Sequence, residues 1–278
     1  MAWLARAGRL AVLAALGVAS ASVACAEIGT DPAVPASIEM ARLPVPAVAV
    51  GDSLRDTLGV AVPLRALVRN VQGDVIEDAP VRYLSRDPQL VIDSVSGHVF
   101  ARDLPTQNPV NVAARFEPSL QILAQLRVTN APDTAFRTDA ASLPRLVSEG
   151  VIGAADSNSV AVEVRLQFRG EADALQNVNA WLVRFAVVRP ANLGNDTAAA
   201  VYLVDDRGRA SQVDTTGTNG LASRRVRVRA SRYPASGASA DTIEVQAVIL
   251  RRGVAVPGAP VRILVPVGSP PSRPAAIR

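Results

Sequence analysis

Lysine is absent from the 278 residues, so all 29 basic side chains are arginine. Histidine and cysteine occur once each, as His98 and Cys25. A lone cysteine forms no internal disulfide, and it excludes Cys-rich zinc sites and CxxC redox motifs. One histidine excludes two-histidine metal sites of the HExxH kind, and a Ser–His–Asp triad has only His98 to build on. Aromatics make up 4% of the chain, so a core has to be assembled from Val, Leu, Ile and Ala. The formal charge is +4, and loss of Arg6 and Arg9 with a leader would leave 27 arginines against 25 acids. That balance supplies no concentrated basic face of the kind a nucleic-acid binder shows. No cofactor, metal or nucleic-acid partner is expected.

Apolar residues are plentiful, at 49%, and charged ones modest, at 19%, which excludes a disordered chain. They are arranged in two ways. The first is a single continuous run near the start. Arg6 and Arg9 precede Leu10–Ala24, a stretch of apolar and small residues too short for a membrane span. It ends Ser22-Val23-Ala24-Cys25. This ending resembles the lipobox of bacterial lipoproteins, although a large residue such as Leu is usual where Ser22 stands. The resemblance implies diacylation of the Cys25 thiol, cleavage before it and acylation of the new amine, giving membrane attachment through lipid. Ala at position 26 implies the outer membrane by the same analogy. The alternative is a secreted or periplasmic protein cut near Ala24 by the ordinary signal peptidase. Residues 1–24 are therefore read as a signal peptide and 25–35 as a tether.

The second arrangement is alternation with period 2, the mark of strands with one face on a core. In Val60–Arg69 the even positions Val60, Val62, Leu64, Ala66 and Val68 are apolar. Val71-Gln72-Gly73-Asp74 supplies a turn. Val81 and Tyr83, then Leu90–Ile92 and His98–Ala101, continue the strands. Val110, Val112, Ala114 and Phe116 make one inward row; Ile122, Ala124, Leu126 and Val128 make another. Short strands at this spacing predict a β-sandwich over 36–130. The segments Val50-Gly51-Asp52, Ala66–Gly73, Val81–Pro88 and Ser96–Ala101 resemble the bacterial Ig-like group 2 pattern. Tyr83 stands where that family more often has Trp, and His98 where it has a small or apolar residue.

Pro132-Asp133 and Leu143-Pro144 bracket a polar stretch, read as a linker over 131–142. Alternation resumes in Val162, Val164, Leu166 and Phe168, and in Trp181, Val183, Phe185 and Val187. Val201–Val204, Ala222–Ala230, Thr242–Leu250 and the row Val261, Ile263, Val265 complete a second sandwich over 143–267. Gly253–Val261 is expected as a loop before the last strand, and 268–278 as an unstructured tail. Asn219-Gly220-Leu221-Ala222 is similar to the turn-and-strand signature of invasin-like group 1 Ig domains. The fold class is all-β, two tandem Ig-like sandwiches, and the resemblance implies a structural, adhesive or partner-binding role at the cell envelope.

Five further features bear on chemistry. His98 follows a turn glycine with no GxSxG motif beside it, and reads as a turn histidine. Asp205, Asp206 and Asp214 lack calcium-loop spacing and read as turn residues. Trp181 reads as the core aromatic of the second sandwich. Arg225, Arg227 and Arg229 share one strand face, which is either a polyanion contact or a solvated sheet face that resists edge-to-edge association. Cys25 alone has a covalent use. The competing function is a periplasmic or surface enzyme, such as a glycan-directed hydrolase or its accessory domain.

Overall fold

The computed structural model describes residues 34–102, 105, 108–138, 146–147, 157–170, 173–229 and 242–268. Cys25, the leader, the tether to residue 33 and the tail beyond 268 lie outside them. The described residues contain twenty strands and no α-helix. The chain divides into two compact units. One is Met1–Glu39 with Leu67–Ala79; the other is Met40–Ala66 with Pro80–Arg278.

In the first unit, β1 (Pro35–Met40) pairs with β3 (Ala66–Asn70). The turn after β3 is the one expected at 71–74. Asn70 Oδ1 accepts the backbone N–H groups of Gln72 at 3.0 Å and Asp74 at 2.9 Å. Gly73 takes φ +90°, a conformation that costs glycine nothing. Arg69 closes the turn onto the Gly73 carbonyl at 2.8 Å and pairs with Glu39 at 3.3 Å.

In the second unit, β2 (Ala47–Ala49) precedes β4 (Arg82–Ser85), β5 (Leu90–Ile92), β6 (Val99–Ala101), β7 (Val110–Phe116) and β8 (Leu120–Thr129). One sheet runs β2-β8-β7-β4, and β5 pairs with β6. The alternation sets the faces here. Val110, Val112, Ala114 and Phe116 are buried, as are Leu126 and Val128. Tyr83 is buried with its hydroxyl accepting the Ala66 N–H at 3.0 Å. Gly97 is required beside it: a Cβ there would press on the Leu64 carbonyl and the Tyr83 ring. One expectation fails. Val60, assigned to an inward row, is 58% exposed, because residues 60–65 form no continuous strand and Leu54 and Leu64 fill the core instead.

The same unit continues through β9 (Thr134–Arg137), β10 (Leu146–Val147), β11 (Ser157–Arg169), β12 (Leu175–Asn177) and β13 (Leu182–Arg189). Then come β14 (Val201–Val204), β15 (Val213–Thr215), β16 (Leu221–Val228), β17 (Thr242–Val248), β18 (Leu250–Arg251), β19 (Val254–Ala255) and β20 (Val261–Gly268). Two sheets form, β10-β20-β17-β13-β15 and β12-β11-β16-β14, with β9 also paired to β11. Their inward rows share one core, among them Val164 and Leu166 of β11, Phe185 of β13, Val226 of β16, Val245 of β17 and Ile263 of β20. Two spans differ from the sequence reading. Thr134–Arg137, expected in the linker, is strand β9, in register with β11 at Phe136↔Arg165. The expected loop at 253–261 contains β19, and Gly268 ends β20.

Chain order and spatial order together identify the topology. Along β9, β11, β13, β14, β16, β17 and β20, the first, second, fifth and fourth lie side by side, and the seventh, sixth and third form the facing layer. That is the ABED and GFC arrangement of a constant-type immunoglobulin sandwich. The sheet β2-β8-β7-β4 repeats the order of β10-β20-β17-β13, including a parallel pairing of an early strand with the last one. The fold is all-β and Ig-like.

On the outer face of β17, Glu244 is 4% exposed and accepts the Arg262 Nε–H at 2.7 Å. That hydrogen bond, opposed by desolvation and helped by Gln246, holds the carboxyl below its ordinary range. A carboxyl with a lowered folded value contributes stability above its unfolded value and loses it as pH falls through the folded one. The urea midpoint should therefore fall as pH drops from neutral through and below the ordinary carboxylate range, and Glu244→Gln should flatten that dependence. An unchanged slope in the variant would show that the pair contributes nothing.

Candidate functional site

The loop after β2 carries the most heavily bonded carboxylate of the described residues. Its backbone is fixed to β6: the Gly51 N–H donates to the Ala101 carbonyl at 2.8 Å, and the Ala101 N–H donates to the Asp52 carbonyl at 2.9 Å. The Asp52 side chain is thus held at a buried position, 7% exposed. Its Oδ1 accepts the Ser53 N–H at 2.8 Å and Arg55 Nη2 at 2.7 Å, and Oδ2 accepts Arg252 Nε at 2.9 Å. Burial pushes this carboxyl up, but the bonds from Arg55, Arg252 and Ser53 together outweigh burial and hold it below the ordinary range.

Arg252 reaches Asp52 because of its own turn. β18 and β19 are joined by Arg252 and Gly253, at φ +52° and +79°. Two central residues of positive φ make a type I′ hairpin turn, whose twist matches the flanking strands. The loop at Leu58-Gly59 lies against this turn. A Cβ at Gly59 would fall inside the Gly253 backbone, so only glycine fits there. Gly59 also offers its carbonyl to Arg55 Nη1 at 2.7 Å.

Beside the cluster is a cavity of about 100 Å³, open on one side. Its apolar wall comes from Val45 and Ala47 and from Trp181, Leu182, Val248 and Leu250. Leu182 and Val248 lie on the outer face of the β13–β17 pair, where Arg184 stands in register with Val248. Trp181 is positioned by Thr216, which is 2% exposed. The Thr216 Oγ1 accepts the Trp181 N–H at 3.0 Å, and its own N–H donates to the Trp181 carbonyl at 2.9 Å. Ala180 precedes it at φ +59°, unusual for alanine and held by its N–H bond to the Thr216 carbonyl at 2.7 Å. Trp181 therefore differs from its expected role. It is half-buried, packs on the edge of the core and lines the cavity, while Phe185 occupies the core centre.

The residues singled out by sequence lie elsewhere. His98 is exposed beyond Gly97, in the turn where it was expected. Asp205 is a turn residue: its Oδ1 accepts the N–H groups of Arg207 and Arg209, and its Oδ2 pairs with Arg209 at 2.8 Å. Those bonds, the Arg209 N–H first, hold its carboxyl low. Asp206 pairs with Arg225 at 3.6 Å. Asp214, expected in a turn, lies on β15 and pairs with Arg224 at 3.1 Å. No group of three His, Cys, Asp or Glu residues able to hold a metal occurs among the described residues.

Arg225 and Arg227 alternate with buried Val226 and Val228 on β16, and Arg229 follows the strand. Arg229 donates to the Thr197 carbonyl at 2.8 Å and its guanidinium lies 5.5 Å from the Tyr202 ring centroid. Asp52, Arg55, Arg184 and Arg252 were not found from sequence. The only local signal was the three-residue spacing of Asp52 and Arg55 behind Gly51.

No protein-family model matches the chain, and no curated protein does. Among solved structures, the adhesin InvE of Yersinia pseudotuberculosis is similar over 86% of this chain and 61% of its own, at 13% identity and a TM-score of 0.28. A protein of unknown function from Porphyromonas gingivalis W83 is similar over 84% of this chain and 99% of its own, at 11% identity and a TM-score of 0.25. The alpha-2-macroglobulin of E. coli is similar over 87% of this chain and 15% of its own, at 12% identity and a TM-score of 0.30. The chain spans less than two thirds of the length of InvE. At these scores nothing about activity is carried across.

Proposed function

We propose that the chain is a non-enzymatic bacterial cell-envelope protein with a structural, adhesive or partner-binding role. Residues 1–24 export it, Cys25 carries its lipid anchor, and the outer membrane is its address. Two Ig-like sandwiches form its body, the second running from β9 to β20.

The observation that supports this reading is the employment of its carboxylates. Asp52, Asp205, Asp214 and Glu244 each bind an arginine of the same fold. Catalytic carboxyls are more often recognised by values pushed toward neutrality in a cleft. Here the shifts found for Asp52, Asp205 and Glu244 all run downward, toward permanent ionisation. Such groups join strands and turns and are poor proton donors at neutral pH. Arg225, Arg227 and Arg229 form the polyanion-facing surface in this reading, and an acidic glycan there would displace Asp206 from Arg225.

The test is fractionation of the full-length protein expressed in a Gram-negative host. Two or more acyl chains anchor stably where one is marginal. Cys25→Ala should move the protein from the membrane fraction and leave an unprocessed precursor, visible by intact mass. A variant that fractionates and processes like the parent would remove the anchor from this reading.

A further inference from the structure

We propose that the cavity beside Asp52 is a binding site for a small carboxylate bearing one ring or a branched apolar body, with Arg184 as its anion receptor. The inference stands apart from the envelope reading, and the Cys25 experiment bears on neither the cavity nor Arg184.

Shape and charge point to the same ligand chemistry. A cavity of about 150 Å³ takes a benzene ring. This one, at about 100 Å³ and open on one side, takes most of a ring and leaves its substituent at the mouth. The wall is apolar at Val45, Leu182, Val248 and Leu250, and Trp181 adds an aromatic surface. The charged groups then differ in availability. Arg55 spends Nε and Nη2 on Asp52 and Nη1 on the Gly59 carbonyl. Arg252 spends Nε on Asp52 and Nη2 on the Gly51 carbonyl. Asp56 accepts the Leu58 and Val60 N–H groups through Oδ1, both at 2.9 Å.

The Arg184 guanidinium makes no hydrogen bond or ion pair among the described residues, and the side chain is exposed and lines the cavity. Three arginines against two aspartates leave the lining with a surplus cation, and that cation is the unengaged one. A guanidinium with free donors binds a carboxylate by a paired, charge-assisted contact. A neutral ligand would leave it unused, and a cation would be repelled. The same chemistry is offered by a free organic acid and by the C-terminal residue of a peptide.

The experiment uses the full chain carrying Trp3→Phe, so that indole emission reports Trp181. It is titrated with 3-phenylpropionate, with N-acetylphenylalanine, and with the amides of both. The acids should give a saturable change, and their amides should bind about tenfold more weakly or worse. Arg184→Gln should abolish that preference for acid over amide, with its unfolding midpoint unchanged because the side chain is exposed. Arg82→Gln, at an exposed position outside the cavity lining, should bind like the parent. Tighter binding of N-acetylphenylalanine supports a chain-end ligand, and tighter binding of 3-phenylpropionate a free acid. Equal binding of acid and amide, parental affinity in Arg184→Gln, or no saturable change with either acid would each overturn the proposal.

Discussion

Phe185→Ala should lower the unfolding free energy by about 4 kcal/mol. Phe185 is fully buried and is the largest of the fully buried side chains among the described residues. It sits mid-strand in β13 between the inward residues Val183 and Val187, and its register partner on β17 is the small Ala247. The opposing layer supplies Val164, Leu166 and Val226. Truncation removes a ring from water-free packing and leaves a void between two hydrogen-bonded sheets. Sheets cannot close such a gap without breaking their ladders, so little of the cost is recovered. With aromatics at 4% of the chain, few other side chains have the volume to refill the space. Urea denaturation of parent and variant measures the difference. A loss under about 1 kcal/mol would show that the core relaxes around the site.

Asp52→Ala is expected to cost about 3 kcal/mol, near the low end for removing one partner of a buried ion pair. The carboxylate is buried, and its loss strands Arg55 Nε and Nη2 and Arg252 Nε together. The value stays at the low end because both arginines reach water, with Arg252 54% exposed. For the same reason Arg252→Ala should cost only about 1 kcal/mol, the scale of an exposed pair. The contribution of Asp52 is present above its unfolded carboxyl value and disappears as pH falls through the lower folded one. A double-mutant cycle between Asp52 and Arg252 gives their coupling. Additive single losses would mean that the two side chains are neighbours without being partners.

Much of the fold could be read from alternation. The rows Val162, Val164, Leu166 and Val183, Phe185, Val187 are buried where period 2 puts them. The turn chemistry held at Asn70–Asp74, where an Asn side chain and a glycine suffice locally. Alternation failed where it lacked a ladder to support it. Val60, Val62 and Leu64 alternate perfectly, yet the Gly51–Arg65 segment is bent by Asp56 and Gly59, and only Leu64 of the three is buried. Thr134–Arg137 has no strong period of its own and becomes β9 because the long β11 offers it a free edge. Trp181 looked like the first member of an inward row, but Ala180 and Thr216 turn it toward the cavity rim.

By itself, then, the amino-acid order settled the all-β class and most of the inward rows. These depend on residues within a few positions of one another, where side-chain direction follows directly from the backbone period. Tertiary structure alone decided that Asp52 would meet Arg252, two hundred positions away, and that Arg184 would line an apolar cavity with its guanidinium unengaged among the described residues. Both arise from loops and sheet faces brought together by strand pairing, and no local pattern encodes which distant charge will find a partner.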